Sequence, residues 1–376
     1  MSVKFIYMAP WIKEQFLASL DYKIFRKLNS DPFFKVIAFV NINQYNDDDC
    51  FENIPIEKIY LPKISMSMMS KIINFNYFYI RRFKIIRKER ENLFIIPVKS
   101  DYHILGLIPL FLFRRRIAIQ LYTPSVVNNK YKRILLDSLT KYVLKLFKNY
   151  LTADSSRLKK IYDLKKRNCK IIKIGMCEYG NLDSLIIDKP RLIYIGTLDS
   201  RKIDIVVNGV AVFLKKYGIP LEFNIIGSGK LNVVNVINNT IEERNLTTII
   251  KYHGFKSNQE VSKFISISNI GVSFVPMLKK YEGVPITKTI EYMLSGLPVI
   301  GTSNSFNRNI ITEENGILCE DNAESFAKSL YVMWLKISQY NCNIIKASVD
   351  EYSMELCLEN NYVPVLKDIN RSIKGL

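Results

Sequence analysis

From Arg191 onward the chain alternates short apolar runs with helical stretches, and the early runs stop at glycines. Residues 192–195 lead into Gly196, 221–226 into Gly227-Ser228-Gly229, and 249–253 into Gly254. The stretches between them, at 203–217, after Gly229 and at 258–268, have helical length and period. Further apolar runs at 270–275, 299–300 and 316–319 complete the series. Strands separated by single helices must cross over and run parallel, and a parallel sheet needs helices on both faces. This half is therefore expected to be a doubly wound α/β domain.

The first half repeats the pattern less regularly. A strand at 4–9, a helix at 13–28 and a strand at 34–40 give a βαβ opening. Helices at 66–92 and 131–151 and strands at 93–99, 116–122, 149–153 and 170–174 follow, and the polar stretch 178–188 reads as a linker. The length of 376 residues accommodates two such domains. The expected division is 1–185, 190–350 and a C-terminal helical segment, 351–376.

Charge separates the halves. Residues 1–188 hold 33 Lys and Arg against 17 Asp and Glu, and the remainder 21 against 18. The expected helices at 66–92 and 131–151 combine apolar stripes with Arg81, Arg82, Lys84, Arg87, Lys88, Arg90, Lys141, Lys145 and Lys148. Such faces are either solvated surface or contacts to anionic lipid headgroups. RNP-type strands, KH loops and zinc knuckles are missing, which disfavours nucleic acid as partner. The start has no signal-peptide pattern, and the longest apolar run, 104–113, is too short to span a bilayer, so a cytoplasmic protein is expected. The six cysteines lack a CxxC pair and only two histidines exist, so no metal site is expected.

Residues 281–302, YEGVPITKTIEYMLSGLPVIGT, carry the densest chemistry. Thr287 reads as the N-cap of a short helix that stops at Gly296, ahead of Pro298. Lys288 and Glu291 are three apart and share a face near that N-terminus, where backbone N–H groups favour an anion. As a surface ion pair they would contribute only ~0.2–0.5 kcal/mol. As a site, Lys288 would meet a phosphate and Glu291 would accept hydrogen bonds from sugar hydroxyls. His103 follows the strand 93–99 at its carboxyl end, where ligands collect in open α/β sheets. It reads either as a structural histidine or as a catalytic, phosphate-contacting one.

The string P-x-x-K-x-x-E-Y-M-x-x-G-x-P-V-I, from Pro285 through Lys288 and Glu291 to Ile300, resembles the donor-site signature of glycosyltransferase family 4. Y-I-G-T-L-D-S-R-K from Tyr194, I-I-G-S-G-K from Ile225 and H-G-F-x-x-x-x-E-V from His253 resemble three further family segments in the same order. The resemblance implies a GT-B fold: two Rossmann-like parallel-sheet domains facing a central cleft, with the C-terminal helix returning to the first domain. It implies a retaining, metal-independent sugar transferase without a cofactor, since the nucleotide sugar is a substrate. Arg201, Lys202 and Lys288 are the residues it implies at the donor diphosphate, and Glu291 at the ribose. Gly196, Thr197, Gly227, Gly254, Phe255, Gly283, Val284, Pro285, Ile286 and Thr287 complete the implied donor site. Thr197 replaces a frequent arginine, and Gly283 stands where many members have a second glutamate, with Glu282 one step out of register. The glycine pair that often follows the first strand is replaced by Pro10-Trp11-Ile12.

The implied setting is surface-polysaccharide assembly, such as O-antigen, capsule or lipopolysaccharide. The basic first half would then hold an anionic lipid-linked saccharide acceptor at the cytoplasmic face of the inner membrane. Rival readings are a GT-B enzyme of another kind, such as an epimerase or phosphorylase, and a non-catalytic subunit that binds nucleotide or membrane. A nucleic-acid binder rests on charge alone.

Overall fold

The computed structural model describes residues 5–8, 34–41, 57–61, 68–90, 92–98, 102–121, 129–153, 156–164, 168–172, 175–176, 178–281 and 284–374. The chain divides into two compact units, Met1–Gly175 with Met354–Leu376, and Met176–Ser353. Among the described residues no helix is long and apolar enough to cross a membrane.

The first unit is built on seven strands: β1 (Phe5–Met8), β2 (Phe34–Asn41), β3 (Glu57–Leu61), β4 (Leu93–Val98), β5 (Ile117–Leu121), β6 (Asn149–Ala153) and β7 (Asn168–Ile172). Their order is β3-β2-β1-β4-β5-β6-β7, with every pairing parallel. β4 and β5 are buried along their whole length, as strands covered on both faces must be. The polar exception, Gln120, accepts a 2.7 Å hydrogen bond from the Tyr362 hydroxyl. That bond and a Lys170–Asp368 ion pair at 2.5 Å fasten the C-terminal segment to β5 and β7. Helices Met68–Lys88 and Lys130–Leu144 form where the heptad-like apolar stripes predict them. The expected helix at 13–28 and the Pro10-Trp11-Ile12 loop lie outside the described residues.

One element departs from expectation. The apolar run 104–113 folds as part of a 3-10 helix, Tyr102–Arg116. Its residues are apolar on every side, so no 3.6-residue period announces it.

The second unit has β8 (Arg191–Ile195), β9 (Glu222–Ile226), β10 (Ile250–Tyr252), β11 (Ile270–Ser273), β12 (Val299–Thr302) and β13 (Gly316–Cys319). The order β10-β9-β8-β11-β12-β13 is again all parallel. It grows outward in both directions from β8 and β11, which places a topological switch point between them. Asn269 fixes the entry to β8. Its side-chain amide donates to the Ile186 and Lys189 carbonyls at 2.6 and 2.7 Å, and its oxygen accepts from the Arg191 N–H at 2.7 Å. Both sheets are the doubly wound type that the sequence predicts.

Candidate active site

Three neighbouring strands of the second sheet end in glycine, and backbone alone ties those ends together. The Gly196 N–H donates to Ile226 O at 2.9 Å, Gly227 N–H to Gly254 O at 2.8 Å, and Leu198 N–H to Ser228 O at 2.9 Å. A β-carbon on Gly227 would lie 1.7 Å from the Gly196 carbonyl oxygen, so no other residue fits there. The carboxyl edge beside β8 is consequently a platform of main chain, open to close approach by a ligand.

Across the switch point, helix Thr287–Leu294 follows β11. Its N-cap is Ile286, not the expected Thr287, and no side chain caps it. Ile286 is the residue with non-helical torsions, so Thr287 already contributes its backbone to the first turn. The first-turn N–H groups therefore lack a side-chain acceptor, and the turn holds no acidic residue. The helix is locked to the sheet by buried polar contacts. The Thr289 hydroxyl lies 2.8 Å from Ser273 Oγ and 2.7 Å from Asn307 Oδ1. Tyr292 Oη accepts the Ile195 N–H at 2.7 Å. A β-carbon on Gly271 would lie 2.7 Å from the Tyr292 ring, so Tyr292 packs directly against β11 at this glycine.

This register presents Lys288 and Glu291 to the end of β8. Glu291 is 5 % exposed, and its Oε2 accepts hydrogen bonds from Lys288 Nζ at 2.7 Å and Tyr179 Oη at 3.0 Å. Lys288 Nζ also donates to Tyr179 Oη and lies 5.0 Å from that ring's centroid. Burial, with the Glu291 carboxylate beside it, raises the Tyr179 hydroxyl well above the ordinary tyrosine range. Tyr179 is positioned by its N–H, which donates to Ser295 Oγ at 2.9 Å, and Ser295 Oγ in turn donates to the Glu291 carbonyl at 2.8 Å. A buried carboxylate persists only when it is paired and hydrogen-bonded, and these partners meet that condition.

Arg201 approaches from the loop after β8. Its guanidinium lies 4.8 Å from the Tyr281 ring centroid, and its buried Nη1 has no hydrogen-bond partner among the described residues. The loop around it takes left-handed torsions at Ser200, φ 60°, and Lys202, φ 53°, which are strained for side-chain-bearing residues. Tyr281 Oη donates to the Ser200 carbonyl at 3.2 Å. Burial pushes the Tyr194 hydroxyl up to about 12, opposed by the Arg201 and Lys288 charges. Tyr194 Oη donates to the Thr197 carbonyl at 2.7 Å. An orphaned guanidinium N–H, an ammonium and a bare helix N-terminus around a main-chain platform are together suited to a polyanion.

Residues 189–334 match a family model described as Glycosyl transferases group 1. No curated protein matches the chain in sequence. Among solved structures, sucrose-phosphate synthase from Thermosynechococcus elongatus is 15 % identical with TM-score 0.69, covering 96 % of this chain and 98 % of that one. Anabaena Alr3699/HepE, solved in complex with UDP and glucose, is 11 % identical with TM-score 0.67, and each chain is covered completely. The apo form of the lipopolysaccharide outer core galactosyltransferase WaaB is 15 % identical with TM-score 0.62, covering 97 % of this chain and 99 % of that one. The fold is GT-B, and the match to the glycosyl transferases group 1 model lies within the second unit.

Within that domain the structure brings Gly196, Thr197, Arg201, Lys288 and Glu291 together and knits Gly227 and Gly254 to Gly196. Val284, Pro285 and Ile286 lead into the helix, and the Val284 N–H donates to Tyr281 O at 3.2 Å. Phe255 stands half exposed beyond β10, and the Lys202 side chain is exposed. Glu282, Gly283 and the His103 side chain lie outside the described residues, and His103 belongs to the first unit, in the 3-10 helix. His253 is structural, with Nε2 2.8 Å from Asn224 Oδ1. The sequence assigns no role to Tyr179, Tyr194 or Tyr281, although the last two lie within the segments singled out above. Tyr179 lies in the stretch read as a linker, and only the flanking polar sequence marks it.

Proposed function

We propose that the protein is a retaining, metal-independent glycosyltransferase that takes a sugar from a nucleoside-diphosphate donor. The observation that carries this is the buried Glu291 carboxylate paired with Lys288 one helical turn before it, beside the uncapped N-terminus of helix Thr287–Leu294. Departure of the nucleoside diphosphate loads negative charge on its phosphate oxygens while the anomeric carbon becomes oxocarbenium-like. Arg201, Lys288 and the first-turn N–H groups of helix Thr287–Leu294 would stabilise that charge, and being fixed beforehand they need little reorganisation. Glu291 Oε2 is taken by Lys288 and Tyr179, which leaves Oε1 to accept the ribose hydroxyls. Attack from the leaving-group face, with a phosphate oxygen taking the acceptor's proton, needs no protein nucleophile.

The family match to residues 189–334 supports sugar transfer, and the HepE complex shows that a chain of this fold accommodates UDP and glucose. The acceptor in our reading is an anionic lipid-linked saccharide of surface-polysaccharide assembly, held at the cytoplasmic face of the inner membrane by the basic first half. The lipopolysaccharide galactosyltransferase neighbour and the charge asymmetry are its support. The test is incubation with radiolabelled UDP-, GDP- and dTDP-sugars in EDTA, with lipid extracts as acceptor. Transfer into lipid with retained anomeric configuration is expected, and inversion or a strict need for Mg²⁺ would contradict the reading.

A further inference from the structure

The 3-10 helix Tyr102–Arg116 is apolar on two opposite sides. Ile104, Leu107 and Leu110 are buried in the first unit's core, whereas Leu105, Ile108 and Leu112 stand in solvent, Leu112 at 75 % exposure. A surface helix ordinarily turns polar residues outward. Here they are gathered at one end, as Arg114, Arg115 and Arg116.

At that end the helix meets the last turns of helix Met68–Lys88 around a cleft of about 570 Å³. Phe83, Leu112 and Phe113 supply its apolar walls, and Arg87, Arg90 and Arg116 its charge. Arg116 is fixed in place: Nη1 donates to Glu89 O at 2.7 Å and Nη2 to Ile86 O at 3.2 Å. Burial and the neighbouring Arg90 both lower its pKa, which records two cations crowded together. Among the described residues, the carboxylate just past the helix, Glu89, accepts from the Asn92 amide at 2.8 Å. Among the described residues neither Arg87 nor Arg90 forms an ion pair. Helix Lys130–Leu144 packs beside the 3-10 helix and widens the same kind of surface, with exposed Tyr131, Ile134, Leu135 and Tyr142 among lysines.

Unpaired cations side by side are unfavourable without an anion, and exposed leucines beside them are unfavourable without an apolar medium. One partner supplies both. We propose that this cleft and the apolar face beside it are a membrane-docking site. Arg87, Arg90 and Arg116 hold the phosphate of an anionic phospholipid, while Leu105, Ile108 and Leu112 enter the boundary between headgroups and acyl chains. This deepens the membrane partner proposed above and does not depend on the donor chemistry.

Flotation of the full chain with phosphatidylcholine vesicles, with and without phosphatidylglycerol, tests it. Binding is expected only to the anionic vesicles. The double variant Arg87→Glu/Arg90→Glu should bind them about 30-fold more weakly, and Leu112→Asp roughly tenfold. All three positions are solvent-facing, so the fold is spared; Lys215→Glu/Lys216→Glu in the second unit is the charge-matched control and should bind as the parent does. Equal binding to neutral vesicles overturns the proposal, as does loss in the arginine variant with Leu112→Asp unaffected, which marks a soluble anion as ligand. A thermal shift with UDP on the same samples separates the two readings: loss of vesicle binding with the nucleotide response kept bears on docking alone.

Discussion

The two units hold positive charge in opposite ways. In the second, Lys288 is paired with a buried carboxylate and Arg201 sits against an aromatic ring. In the first, Arg87 and Arg90 are solvent-facing and, among the described residues, form no ion pair, and exposed Leu112 lines the same cleft. The difference fits the two partners proposed above. A small polyanion is gripped by donors held rigid through buried partners, because freezing them at binding would cost affinity. A broad anionic surface can be met by exposed charges acting through their summed field.

Disrupting the rigid edge should have the largest effect. Gly227→Ala drives a methyl group into the Gly196 carbonyl, and a loss of about 3 kcal/mol or more is expected in urea unfolding. Gly218→Ala is the contrast, because Gly218 has φ +66° but nothing within 4 Å of its added carbon, so only about 1–2 kcal/mol should be lost. Near-equal losses would show that the strand ends tolerate separation.

Glu291→Ala comes next. It leaves the buried Tyr179 hydroxyl and Lys288 without their shared acceptor, for about 2–3 kcal/mol of stability, and should remove nucleotide binding. Arg201→Ala separates binding from stability. It deletes a donor that has no partner, so the fold should be unchanged while calorimetry shows about 10- to 100-fold weaker nucleoside-diphosphate affinity. Weakened stability with unchanged affinity would assign Arg201 to packing against Tyr281.

The smallest effect is alkaline. Tyr179, Tyr194 and Tyr292 all have folded-state values raised above the ordinary 10.0, chiefly by burial. Each therefore holds its proton more tightly folded than unfolded. Their contribution is complete below about pH 10 and is lost as pH rises through the folded values. Unfolding free energies from pH 9 to 12 should fall, and Tyr179→Phe should shallow the decline.

The doubly wound sheets, the glycine-ended strands and the Lys288–Glu291 pair were legible because period and spacing encode them directly. Thr287 was misread as the cap because its residue type favours that position, while the Ile286 torsions, set by packing, moved the helix start back by one. Tyr179 carries no local signal: it reaches Glu291 only because Ser295 and the Leu182 N–H, which donates to Ser295 O at 3.1 Å, dock a polar segment on the helix. The 3-10 helix was hidden for the opposite reason, since residues apolar on every side show no period.

The central claim is that this edge binds a nucleoside diphosphate through protein groups alone. Titration calorimetry of UDP, GDP, ADP and dTDP in EDTA, against the parent and Arg201→Ala, tests it most directly. The account predicts saturable binding of at least one diphosphate by the parent and much weaker binding by the variant. Binding that appears only when Mg²⁺ replaces EDTA, or that ignores the loss of Arg201, would contradict it.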